Sequence, residues 1–146
     1  MRYASDPTAR ERSAPTKEKC KYWLFAERKV GSYPVHTERG GKWLIFIPRE
    51  TVDGVWERIR EAVEQGKFGG SAKVSTAKPR PASTDRSSHV ICVYTYDALD
   101  EADVRRIRSS LRELGIVKKI SYKTDDATIQ GKYRKSGDKR ISLYYE

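Results

Sequence analysis

The stretch from Gly40 to Gly66 limits this chain most. Gly40-Gly41-Lys42-Trp43-Leu44-Ile45-Phe46-Ile47-Pro48 sets aromatic and β-branched residues between a glycine pair and a proline, which reads as a strand. A helix pattern follows at once from Thr51 to Gly66, with Val52, Val55, Trp56, Ile59 and Val63 recurring at helical spacing. Alternation in the strand puts Trp43, Ile45 and Ile47 on one face and Lys42, Leu44 and Phe46 on the other. The first set is expected against the helix. That unit is the expected core, and Lys42 is aimed away from it.

The rest of the chain repeats the two periods. Cys20 to Ala26 is apolar and aromatic enough for a strand, and Gly31 to Arg39, with Tyr33, Pro34 and His36, reads as the loop that leads into the organising strand. Ser71 to Thr76 is a short alternating strand, Ala77 to Ser88 a Pro- and Ser-rich loop, and His89 to Tyr96 the clearest strand of the second half. Asp100 is a good N-cap for a second helix with the apolar stripe Val104, Ile107, Leu111 and Leu114, ended by Gly115. Lys118 to Lys123 alternates, as do Ile129 to Arg134 and Arg140 to Tyr145 around a turn at Ser136-Gly137-Asp138. Met1 to Lys17 shows neither period and is expected to be a mobile basic arm, ahead of a single α+β domain over residues 18–146. The expected fold is an antiparallel sheet with both helices on its apolar face.

Charge narrows the function. Thirty Lys and Arg stand against twenty Asp and Glu, a formal net charge of +10. A phosphate-bearing partner follows naturally, the bland alternative being a basic surface that only solvates the protein. Strand after strand carries a cation opposite its apolar face: Lys42, Lys73, Lys119, Lys123, Lys132, Arg134 and Arg140. In one sheet these would converge on the open face and repel one another unless an anion were expected there. The alternative is that each sits alone, as lysines on strands often do to discourage aggregation.

Other classes recede. Cys20 and Cys92 fall in separate predicted strands without paired ligands, so free buried thiols are expected, with no metal, no cofactor and a reducing, cytoplasmic setting. No apolar run is long enough to cross a bilayer, and no secretory leader pattern opens the chain. His36 and His89 lack the spacing of two-histidine phosphoesterases, and Gly66 to Gly70 lacks that of a phosphate loop. Trp43 and Trp56 sit on apolar stripes and read as core; Tyr94, Tyr96 and Tyr144 fit either base stacking or ordinary sheet packing. Arg105, Arg106, Arg108 and Arg112 read as a solvated helix face that a nucleic-acid backbone can also use.

Glu38-Arg39-Gly40-Gly41-Lys42-Trp43-Leu44-Ile45 with Trp56 on the next helix resembles the cap-binding translation initiation factor 4E, as do the strand from His89 to Thr95 and the Lys-Ser-Gly tail within Gly131 to Ser142. The resemblance implies a curved antiparallel sheet with helices on the convex face and a ligand on the concave one. The tryptophan expected in one wall of the cap site has no counterpart here, and Tyr33 and His36 stand where the second wall would lie. A nearer resemblance is to the basophilic-leukaemia-expressed protein family, carried by Gly41-Lys42-Trp43-Leu44, Trp56, Ala72-Lys73-Val74-Ser75, the strand from His89 to Thr95, and Gly115-Ile116. That family is distantly similar to phosphothreonine lyase effectors, which implies Lys73 as a base and Lys42 as a phosphate-holding lysine, with Leu44 where the acid would stand. The expected function is therefore binding of RNA or a nucleotide on the basic concave face, with phosphothreonine-lyase-like elimination on a phosphoprotein as the alternative.

Overall fold

The structure, a computed structural model, describes residues 14–80, 87–125 and 143–146. Its strands are β1 (Trp23–Glu27), β2 (Gly41–Pro48), β3 (Ser71–Ser75), β4 (Ser88–Thr95), β5 (Ser121–Thr124) and β6 (Tyr144–Tyr145); helix α1 (Arg49–Glu64) follows β2 and helix α2 (Glu101–Glu113) follows β4. They form one curved sheet, ordered β1-β3-β4-β2-β5-β6, in which every pairing is antiparallel. Each helix links two strands that run the same way with one antiparallel strand between them. The two crossovers move in opposite directions from strands of opposite direction, so right-handed connection places both helices on the same face.

That face holds the core. Trp43, Ile45 and Ile47 of β2 are buried against Val52, Trp56, Ile59 and Val63 of α1 and Val104, Ile107 and Leu111 of α2, as the alternation predicts. The Trp43 indole N–H also donates to the Val104 carbonyl at 3.0 Å, which gives its buried polar atom a partner and ties β2 to α2. Asp100 caps α2 through its carboxylate, which accepts from the Asp103 N–H at 3.1 Å.

Several expectations are corrected. The first helix starts at Arg49, directly after Pro48, whose extended ψ of 152° joins strand to helix without a loop. The first strand starts at Trp23, so Cys20 lies outside it and is exposed, while Cys92 is buried. Arg108 is not on a solvated face: it is 1% exposed. Its guanidinium donates to the main-chain oxygens of Glu146 (2.8 Å), Ile116 (2.9 Å) and Lys118 (2.8 Å), and those three acceptors make its burial tolerable. Arg105 and Arg106 pair with Glu146 and Asp103. Tyr144 faces the helices, with its ring 5.3 Å from that of Tyr122 and its hydroxyl donating to the Ala98 carbonyl at 2.9 Å, so Tyr145 takes the open face.

Residues 1–13 of the expected arm lie outside the described residues, as do the strand expected over 129–134 and the turn at 136–138. The end of the arm is seated. Pro15 is buried, its carbonyl accepts from the Ala77 N–H at 2.9 Å, and the Thr16 N–H and hydroxyl both donate to the Asp53 carboxylate of α1.

Candidate nucleotide-binding face

The strand register fixes what the open face presents. One row crosses all six strands: Phe25, Lys73, Cys92, Leu44, Ser121 and Tyr145. On one side of it Lys42 is opposite Tyr94 of β4 and Lys123 of β5; on the other, Phe46 is opposite Val90 and Trp23 opposite Ser75. The face is therefore mixed, with Lys42 and Lys123 together at one end. Lys73 stands in the next row, two strands away, and Lys119 sits at the far edge, its ammonium 5.8 Å from the Tyr145 ring. Lys132, Arg134 and Arg140 lie outside the described residues. Burial pushes the Cys92 thiol up, against the opposite pull of Lys73 and Lys42 to either side of it.

Lys42 and Lys123 are like charges placed directly opposite, which works against strand pairing. A carboxylate compensates: Asp125 pairs with the Lys42 ammonium through one oxygen, and His36 Nε2 lies 3.1 Å from the other. The Asp125 N–H donates to the Gly40 carbonyl at 2.9 Å, so the backbone holds that carboxylate in place. The glycine pair is what lets these groups meet. A Cβ on Gly40 would lie 1.8 Å from His36 Nε2, and one on Gly41 would lie 2.4 Å from the Tyr122 hydroxyl.

Beside this charged corner opens a cleft of about 300 Å³, lined by Tyr33, Pro34 and His36 of the β1–β2 loop, by Tyr94, Thr95 and Tyr96, and by Glu27, Arg28, Gly70 and Ser71. Its aromatic walls are fixed. The Tyr33 hydroxyl donates to Asp103 at 2.5 Å and accepts from the Tyr96 N–H at 3.1 Å, and the two rings meet edge to face at 5.5 Å. The loop is pinned where it enters β2: Thr37 N–H donates to the Tyr96 carbonyl at 2.9 Å, and Arg39 forks onto Asp97 with its shortest contact at 2.7 Å. Arg39 holds the Asp97 carboxyl below the usual range. The phenols shift the other way. Burial pushes Tyr33 and Tyr94 up, and the hydrogen bond to Asp100 pushes Tyr96 up to about 12, so all three stay neutral at ordinary pH.

Residues 26–129, from the end of β1 to just beyond β5, match the family model described as basophilic leukemia-expressed protein Bles03. The chain belongs to that family. Among solved structures, this Bles03-family chain is similar to a schistosome eIF4E complexed with m7GpppA and 4E-BP, at 18% identity and a TM-score of 0.51 over 75% of this chain and 60% of that one. It is also similar to Caenorhabditis elegans eIF4E-3 in complex with the 4E-binding protein Mextli, at 18% identity and a TM-score of 0.50, over 74% of this chain and 59% of that one. The Bles03-family chain thus shares their fold, the curved antiparallel sheet with two helices on its convex face, and spans about three fifths of their length.

The groups named from the lyase resemblance separate on this face. Lys73 and Lys42 share it, roughly 12 Å apart between Cα atoms by strand spacing. Leu44 is 8% exposed between Cys92 and Ser121 and has no proton to give. His89 is buried on the helix side, with Nδ1 2.9 Å from the Ser75 carbonyl, and His36 is engaged with Asp125. Asp125 itself escaped the sequence reading. It follows β5, and only the register of β5 against β2 brings it to Lys42.

Proposed function

We propose that this protein binds a phosphate-bearing nucleotide or RNA at the end of the open face, with phosphate on Lys42 and Lys123 and a base among Tyr33, His36, Tyr94 and Tyr96. The observation that carries this reading is the opposed pair Lys42 and Lys123 beside an aromatic cleft, its repulsion relieved by the carboxylate of Asp125. A terminal nucleotide phosphate offers more charge than that carboxylate, and an RNA phosphodiester an equal charge with as many acceptor oxygens, so either competes for the same cations. Rings held by hydrogen bonds to Asp103 and Asp100 supply flat walls at little entropic cost on binding. The schistosome eIF4E of the same fold is complexed with m7GpppA, which is consistent with a nucleotide. The residues that line the cleft include no tryptophan, since Trp43 and Trp56 are in the core and Trp23 lies on β1 outside it, so a methylated base is not required by its chemistry.

Titration with a nucleoside triphosphate and with single-stranded RNA at several salt concentrations tests the reading. Each single-strand phosphate neutralised contributes about −0.7 to the slope of log K against log salt. Lys42→Ala and Lys123→Ala are expected to weaken both ligands, and Asp125→Asn to tighten them by removing the competing anion. Binding absent at low salt, or unmoved by all three changes, counts against the proposal.

A further inference from the structure

The opposite corner of the open face has no part in that site, yet it gathers aromatic rings and cations around β1, the outermost strand of the sheet among the described residues. Lys73 Nζ lies 3.8 Å from the centre of the Trp23 ring, and the Arg80 guanidinium lies 4.6 Å from Trp23 and 5.0 Å from Tyr22. Lys78 Nζ lies 4.2 Å from Tyr22. Phe25 is 66% exposed and Phe46 58%, large apolar side chains that no element of the fold covers among the described residues. Among those residues, too, no carboxylate forms an ion pair with Lys73, Lys78 or Arg80, although other cations of the chain have such partners. An apolar face alone suits a protein partner. Lys78 and Arg80 donate only to the main-chain carbonyls of Cys20 and Tyr22, and accessible rings interleaved with cations that lack a carboxylate partner suit a chain of bases on a phosphate backbone, since each base has a face to stack and each linkage a charge to neutralise.

We propose that Tyr22, Trp23 and Phe25, with Lys73, Lys78 and Arg80, form a stacking platform for single-stranded RNA, so that the ligand of the sheet is an oligonucleotide running from the Tyr94 cleft across the open face to β1. The proposal rests on the nucleotide reading of that cleft and names its ligand class. From the register, Tyr94 and Trp23 are two strands and four residues apart, roughly 16 Å between Cα atoms. A mononucleotide has one base and cannot stack on both. An oligomer of about four or more nucleotides can, at the lower end of the site sizes of single-strand platforms.

Fluorescence anisotropy with labelled oligouridylates of increasing length, beside calorimetry with a mononucleotide, separates the two claims. Affinity is expected to rise with length until the platform is filled. Trp23→Leu and Arg80→Ala are each expected to weaken the long oligomer, Trp23→Leu by roughly ten-fold as one stacked base is lost, and to leave the mononucleotide unchanged. Lys42→Ala weakens both ligands. Because Trp23 belongs to β1, Arg80→Ala, which removes no strand residue, guards against a folding artefact, and circular dichroism of each variant checks it. Length-independent affinity that ignores Trp23→Leu and Arg80→Ala while the mononucleotide still binds overturns the platform and leaves the cleft standing. Absence of both ligands overturns both. Self-association of the protein without RNA, abolished by Trp23→Leu, assigns the face to a second copy and overturns the platform as well.

Discussion

The two faces of this sheet obey different rules. On the helix side every residue is chosen by burial: Trp43, Val52, Ile59, Val63, Val74, Ile91, Val93 and Tyr122 are fully or almost fully enclosed, and the polar atoms among them have partners. On the open side the same strands present Lys42 opposite Lys123, an exposed Phe46 and Phe25, and Lys73 over Trp23. Burial explains none of those choices, and the opposed lysines rely on Asp125 to offset their repulsion. The difference teaches that the open side is where the fold makes few demands, which leaves its residues available to the proposed ligand.

The largest effect should come from opposing the two faces directly. Trp43→Ala removes a buried ring and its hydrogen bond to Val104, and is expected to cost about 3–5 kcal/mol, against less than about 1 kcal/mol for Phe46→Ala three residues away on the open face. Denaturant unfolding of the two variants checks it, and equal losses would break the contrast. Gly41→Ala sits on the boundary between the faces. Its Cβ would meet the Tyr122 hydroxyl at 2.4 Å and the Lys123 carbonyl at 2.7 Å, one of them backbone, so a loss of about 1–3 kcal/mol is expected in the same measurement.

Lys123→Glu sharpens the comparison because its two readouts should move in opposite directions. An opposite charge facing Lys42 is expected to stabilise the protein by about 0.2–1 kcal/mol while abolishing nucleotide binding. Loss of stability together with retained binding would show that Lys123 serves the fold and not the ligand. A further effect concerns pH. Tyr33, Tyr94 and Tyr122 are raised chiefly by burial, and Tyr96 to about 12 by Asp100. A phenol raised on folding contributes stability that is complete below its unfolded value near 10 and is lost as pH climbs through the folded one. The unfolding midpoint should therefore fall as pH rises from about 10 to 12, alongside a late rise in tyrosinate absorbance. A midpoint flat over that range would mean that these rings are not held as described.

The sequence determined the unit of β2 and α1, the cap at Asp100 and the two-layer architecture. Each is local or periodic: alternation, helical spacing and an N-cap act within a few residues, and burial on one face enforces them. It also marked Lys42, Lys73, Lys119 and Lys123 as lying opposite the apolar face, since a period of two needs no knowledge of neighbours. What it could not decide is who stands beside whom. The pairing of β5 with β2 put Lys123 opposite Lys42 and brought Asp125 between Lys42 and His36; the pairing of β1 with β3 put Lys73 on Trp23. Arg108, surrounded by arginines in the chain, reached three main-chain oxygens that only the packed fold assembles. These are contacts between residues far apart in sequence, set by strand order and register, and no local pattern encodes those.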